Sequence, residues 1–252
     1  MDTTELASPT YTADAFKDTA VPAAAPRFNM YQPIHKGLRA FMTDTLIRVG
    51  SVDPTDGIEC GEVATQLRSL LHVCGEHLVH ENRFLHAAME QRAPGSAARI
   101  AAEHVEHEAQ IASLLGMLED AMTPLKSMGR QPQMWLALYQ ALSLFVAENF
   151  EHMLVEEREH NAVLWACFTD EELLEIHDAL LASIPPDEMA VVYRWIVPQL
   201  SHPERVGMLQ GMRQGMPAEV FDNQVDQLRP LLNARAWHKL QAALKRSAVY
   251  HG

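Results

Sequence analysis

Leu70-Leu71-His72-Val73-Cys74-Gly75-Glu76-His77-Leu78-Val79-His80-Glu81-Asn82-Arg83-Phe84-Leu85 reads as a helix whose apolar seam turns polar partway along. Steps of three and four residues connect Leu67, Leu70, Cys74, His77, Glu81, Phe84, Leu85 and Ala88 on one face. His77 and Glu81 therefore stand where leucines belong. Three more stretches put histidine on a seam: Pro33-Ile34-His35-Lys36-Gly37-Leu38, Glu103-His104-Val105-Glu106-His107-Glu108, and His152-Met153-Leu154-Val155-Glu156-Glu157.

Each stretch sits in its own predicted helix. The first runs from about Pro33 to Val49, with seam Leu38, Met42, Leu46 and Val49, and extending that seam backwards reaches His35. A loop from Gly50 to Gly61 follows, then a second helix from about Glu62 to Gln91. Pro94-Gly95-Ser96 separates it from a third, about Ala97 to Met122, with seam Ile100, His104, His107, Ile111, Leu114 and Leu118. A fourth begins near Gln133 and carries Leu142, Phe145, Asn149, His152, Glu156 and Val163. His35 lies about 15 residues before the first loop and His77 about 15 after the second helix begins, so antiparallel neighbours bring them level. The same arithmetic around Pro94 levels Glu81 with His107, and His152 falls at matching depth. The expected class is all-α: an up-down four-helix bundle over 31–167 with additional helices over 168–252, packed on the bundle. Thr169-Asp170-Glu171-Glu172 and Ser201-His202-Pro203-Glu204 read as N-terminal caps of two of about four short helices there. Residues 1–30, rich in Ala, Thr, Ser and Pro without periodicity, read as a flexible tail.

Composition narrows the function. The chain has 252 residues, 48% of them hydrophobic, and carries a net charge of −13. That charge repels phosphate backbones, so nucleic acid is not an expected partner. Met134 to Ala147 is the most apolar run, but it is too short to span a bilayer and is interrupted by Tyr139, Gln140 and Ser143. The three cysteines, Cys60, Cys74 and Cys167, form no CxxC, and the N-terminus lacks an apolar signal core, so the expected compartment is cytoplasmic. The C-terminal helices are the surface left for a second copy or a protein partner.

The polar seams need a partner of their own. A buried, unpaired carboxylate or imidazolium costs several kcal/mol. Several of each in one core layer require mutual neutralisation or a cation. Imidazole nitrogen with carboxylate oxygen suits iron, manganese or zinc. His77/Glu81 and His152/Glu156 share a face at i, i+4, with Glu157 as the alternative to Glu156. The third helix leaves several sets open: His104/His107, Glu103/His107 and His104/Glu108. The candidate metal ligands are His35, His77, Glu81, His104, His107, His152 and Glu156. His72, His80, His86 and His160 flank them and read as surface or supporting residues, and His177, His202, His238 and His251 as surface.

Ile34-His35-Lys36-Gly37-Leu38-Arg39, His77-x-x-His80-Glu81-x-x-Phe84-Leu85, Glu106-His107 before Ile111-x-x-Leu114-Leu115, and His152-Met153-x-x-Glu156-Glu157 together resemble the hemerythrin family, in its broader HHE cation-binding branch. The resemblance covers about residues 33–165. It implies a non-haem site with two irons, ligated by His35, His77, Glu81, His107, His152 and Glu156 or Glu157, with Glu81 and a helix-four glutamate bridging. Zinc or manganese are the alternative metals. A small diatomic or oxidant such as O₂, NO or peroxide is the ligand it implies, for sensing, storage or redox work. One departure is visible: the family usually has a second histidine four residues before His107, where this chain has Glu103, with His104 as the available substitute. The alternative from a different class is a helical interaction module clipped by a single metal such as zinc.

Overall fold

A computed structural model describes residues 27–123 and 131–249. Every helix or strand element among them is helical. Helix α1 spans Gln32–Ser51, α2 Gly57–His80, α3 Ala87–Arg92, α4 Ala98–Met122 and α5 Gln131–Val155; α6 spans Asn161–Cys167, α7 Asp170–Ser183, α8 Pro186–Gln199, α9 His202–Gly215, α10 Ala218–Leu228 and α11 Ala234–Val249. The first loop is shorter than expected because α2 starts early. Asp56 caps it, accepting from the Ile58 and Glu59 backbone N–H groups at 2.9 and 3.1 Å. Gly95, at φ 85, takes the left-handed turn between α3 and α4 that residues with a Cβ avoid. Thr169 and Ser201 close the two capping boxes read from the sequence. Five helices, α7 to α11, follow residue 168, where about four were expected.

Two π-helical turns were not foreseen: Glu81–His86 joins α2 to α3, and Glu156–His160 joins α5 to α6. A π turn accommodates an extra residue, so every side chain beyond it is rotated relative to an unbroken α-helix. Phe84, Leu85 and Ala88 were expected to continue the second seam; Leu85, His86 and Met89 are the buried residues. In the fourth stretch, His160, Asn161 and Leu164 are buried in place of Val163. Both shifts begin at a buried glutamate.

The four-helix ring holds two apolar clusters with the polar layer between them. One contains Leu38, Phe41 and Met42 of α1, Leu67, Leu70 and Cys74 of α2, Leu114 and Leu118 of α4, and Leu142 and Phe145 of α5. The other gathers Met30, Tyr31, Leu85, Met89, Ala97, Leu164, Phe168 and Leu173. α1 packs on α2 and α5, and α4 packs on α2 and α5, so the four close a ring. Each fully buried leucine contributes about 1.5–3 kcal/mol, so the clusters are what hold the costly polar layer in place. Residues 1–26 of the expected tail lie outside the described residues. The part that is described is fixed: Arg27 donates to Asp170 Oδ1 at 2.6 Å and to the Phe168 carbonyl at 2.7 Å, and Met30 is buried.

α8 carries the C-terminal helices onto α1. Trp195 stacks on Phe41 with ring centroids 4.2 Å apart, and a Cβ at Gly37 would lie 2.8 Å from Ile196 Cγ1, so glycine permits the close approach. Val197 of α8 then joins Leu209, Phe221, Leu228, Leu240 and Leu244 in a third cluster made with α9, α10 and α11.

Candidate metal centre

Six of the seven sequence-predicted ligands converge. His35 comes from α1, His77 and Glu81 from α2 and its π turn, His104 from α4, and His152 and Glu156 from α5 and its π turn. They form two groups whose ligand atoms lie within 4.8 Å of one another: His35, His77, Glu81 and Glu156, and His104, His152, Glu81 and Glu156. Such groups can hold a metal ion. Both carboxylates belong to both groups.

The oxygens divide between the halves. Glu81 Oε1 lies 3.2 Å from His77 Nε2 and 3.7 Å from His35 Nε2, while its Oε2 lies 3.6 Å from His104 Nε2. Glu156 Oε2 lies 3.4 Å from His35 Nε2, while its Oε1 lies 3.4 Å from His152 Nε2 and 3.7 Å from His104 Nε2. The two imidazoles of the second half face each other, Nε2 to Nε2, at 3.1 Å. Ligands about 2.1 Å from a common ion are separated by about 3.0–3.4 Å, the lower figure for octahedral and the upper for tetrahedral geometry. The observed separations match that range or exceed it slightly.

Outer contacts aim the imidazoles inward. His35 Nδ1 donates to Glu157 Oε1 at 3.1 Å, and Arg39 Nη1 steadies the same oxygen at 2.5 Å. His152 Nδ1 donates to Glu103 Oε2 at 2.9 Å, and Arg99 Nε holds Glu103 Oε1 at 3.0 Å. His104 Nδ1 donates to Asn82 Oδ1 at 2.9 Å. A histidine that gives its Nδ1 hydrogen to such a partner presents the Nε2 lone pair, the usual arrangement behind a metal-ligating imidazole. These contacts separate the alternatives left open in the sequence. Glu156 belongs to both groups and Glu157 supports His35; His104 belongs to the second group and Glu103 supports His152; Glu108 is exposed.

His107 is in neither group. It is buried, with its ring 4.7 Å from the His152 ring and edge-on to Phe145 at 6.1 Å, and its Nδ1 has no hydrogen-bond partner. The i, i+3 spacing from His104 keeps it on the seam but carries it about a turn toward the first apolar cluster. Conversely, His86 and His160, expected at the surface or in support, are 5% and 2% exposed and form a third group with Glu156. Their ring centroids are 5.2 Å apart, and the Tyr31 hydroxyl lies 3.2 Å from His160 Nδ1. The π turns rotate both inward. The signal available in the sequence was the parallel order histidine, glutamate, histidine in His77/Glu81/His86 and His152/Glu156/His160. His72 is exposed as expected, whereas His177 is half-buried, edge-on to Phe28 at 5.4 Å.

The electrostatics describe a layer short of positive charge. The Nε2 atoms of His35 and His77 and all four oxygens of Glu81 and Glu156 are buried without a hydrogen bond. Burial alone would lower the His35 imidazole, but Glu157 and Glu81 outweigh it and raise it from 6.5 to about 9. Burial likewise opposes the charge on His152, yet Glu156 and Glu103 raise it to about 9. Burial and the neighbouring Glu156 charge push the Glu81 carboxyl up to about 7. Burial would raise Glu156 too, but His104 and His152 hold it well below the carboxylate range. Burial and the charge on His35 push His77 well below 6.5. The neighbouring carboxylates thus favour a proton on His35 and His152, and a cation bound there would compete with those protons. Cys74, a turn from His77, belongs to none of the groups, and apolar burial pushes its thiol up to about 12.

Among the described residues no helix is long and apolar enough to cross a membrane. No family model, curated protein or solved structure matches this chain.

Proposed function

We propose that this chain is a hemerythrin-like, non-haem di-iron protein that handles O₂, NO or peroxide. The observation that carries the reading is the division of oxygens: each of two buried carboxylates offers one oxygen to each of two histidine pairs. A single ion has no use for that arrangement, whereas two ions bridged by Glu81 and Glu156 use all of it. The order of the clusters supports the matching architecture. α1 and α4 run from the second apolar cluster to the first, and α2 and α5 run back, as in an up-down four-helix bundle. The nitrogen and oxygen donors suit iron, zinc and manganese alike; the preference for iron rests on the resemblance of the motifs to the hemerythrin family.

The protein's part is placement. Glu157, Glu103 and Asn82 fix which imidazole nitrogen faces inward. Met30, Tyr31 and Leu85 close one side of the layer and Leu38, Cys74 and Phe145 the other, limiting water. Iron bound there supplies a redox-active pair able to take a small oxidant.

The reading is tested by reducing the purified protein anaerobically and exposing it separately to O₂, NO and peroxide while its near-ultraviolet spectrum is recorded. A reversible or stoichiometric change with at least one of them is expected. An iron-loaded protein indifferent to all three contradicts the proposed ligand class, and a colourless protein with one zinc favours the metal-clipped interaction module.

A further inference from the structure

The third group of buried ligands lies between the centre and the surface. His86 is 5% exposed, and neither of its ring nitrogens has a hydrogen-bond partner. It stacks on His104 with ring centroids 4.9 Å apart and an interplanar angle of 21°. His160, which has one nitrogen beside the Tyr31 hydroxyl, completes the group with Glu156. On its outer side His86 lines an open pocket of about 380 Å³ with Asn82, Glu90, Ala98 and Ala101. The alanines leave room at the wall. Glu90, fixed by the Gly95 and Ala97 backbone N–H groups at 2.7 and 3.0 Å, is the formally charged lining residue among the described residues.

We propose that His86, His160 and Glu156 form an entry site, where a divalent transition-metal ion that has crossed this pocket is first held before passing to the paired centre. Two imidazoles and a carboxylate oxygen are a ligand set for such an ion. Glu90 at the wall and the −13 charge of the chain favour a cation over an anion in the pocket. Glu156 is common to all three groups, so an ion advances by exchanging His86 and His160 for His104 and His152 while one carboxylate stays in place. The site is a waypoint: a third divalent ion sharing Glu156 with a filled pair meets strong repulsion at low dielectric. Asn82 joins the two stages, since it lines the pocket and accepts from His104 Nδ1.

This inference rests on the paired-metal reading and is tested by the rate of loading. Metal-free wild type, His86→Leu and Ala98→Trp are mixed anaerobically with excess Co²⁺, and the cobalt absorption bands are followed with time. Ala98 is exposed, so its tryptophan narrows the pocket without entering the core. Both variants are expected to finish at two ions per chain and to load about tenfold more slowly than wild type. If His86→Leu fails to fold, Ala98→Trp alone decides. Loading at the wild-type rate overturns the entry site and leaves the pair intact. A third ion held tightly by wild type and lost in His86→Leu overturns the waypoint role. Wild type that takes up fewer than two ions overturns the paired-metal reading itself.

Discussion

Removing one imidazole from either half of the centre leaves the buried Glu81 and Glu156 short of a partner. His77→Ala and His152→Ala are therefore expected to lose bound metal and, from the uncompensated buried charge, to melt about 5–10 °C lower. His107→Leu should keep the wild-type metal content, because His107 lies outside both groups. Metal analysis of the three variants checks this; loss of metal in His107→Leu, or retention in the other two, contradicts the assignment. Glu103→Gln should fold normally but bind metal about 10–100-fold more weakly, since the amide holds the His152 ring less firmly than the carboxylate it replaces. Competition with a chelator measures that. Six of the candidate ligands come together in the two groups because helical spacing brings His/Glu pairs onto one face. His107 falls outside both groups because a seam position gives the face and not the depth. Glu103 and Glu157 remained alternatives because spacing cannot say whether a polar group binds an ion or braces a ligand.

At the scale of elements, the long helices were legible and the π turns were not. Apolar periodicity located α1, α4 and α5 within a few residues, since amphipathic packing sets it. A π turn leaves no separate mark: Phe84 and Ala88 are as plausible on a seam as Leu85 and Met89. What fixes the shift is the gain from burying Leu85, Met89 and Leu164 while Glu81 and Glu156 stay in the polar layer. Gly37 belongs to this scale as well. Alanine there gains about 1 kcal/mol in helix propensity but brings a Cβ to 2.8 Å from Ile196 Cγ1 and 3.1 Å from the Ile196 Cα. Backbone cannot rotate away as a side-chain end can, so the overpacking, about 1–3 kcal/mol, wins. Gly37→Ala is expected to lower the melting temperature in calorimetry; a higher value means α8 yields freely.

The whole molecule joins a ring of helices to a C-terminal group through α7, α8 and several ion pairs, among them Arg92 with Glu172 and Lys36 with Glu204. Lys36 of α1 donates to both oxygens of Glu204 of α9, at 2.6 and 2.8 Å. Burial would raise the Glu204 carboxyl, but Lys36 and the Ser201 cap lower it from 4.5 to about 2. Its contribution is thus complete above pH 4.5 and lost as pH falls toward 2. The gap in melting temperature between wild type and Glu204→Gln should be widest above pH 4.5 and close near pH 2. A gap independent of pH contradicts the linkage. The caps at Thr169 and Ser201 could be read in advance; the approach of α8 to α1 through Gly37, Phe41 and Trp195 is a long-range contact that local pattern does not encode.

All three scales meet in the claim that Glu81 and Glu156 bridge two metal ions. Metal analysis of the intact protein, per mole of chain and with an optical spectrum before and after dithionite, bears on it most directly. The expected result is two irons per chain, with near-ultraviolet absorption that dithionite removes. One ion per chain, or none, contradicts it.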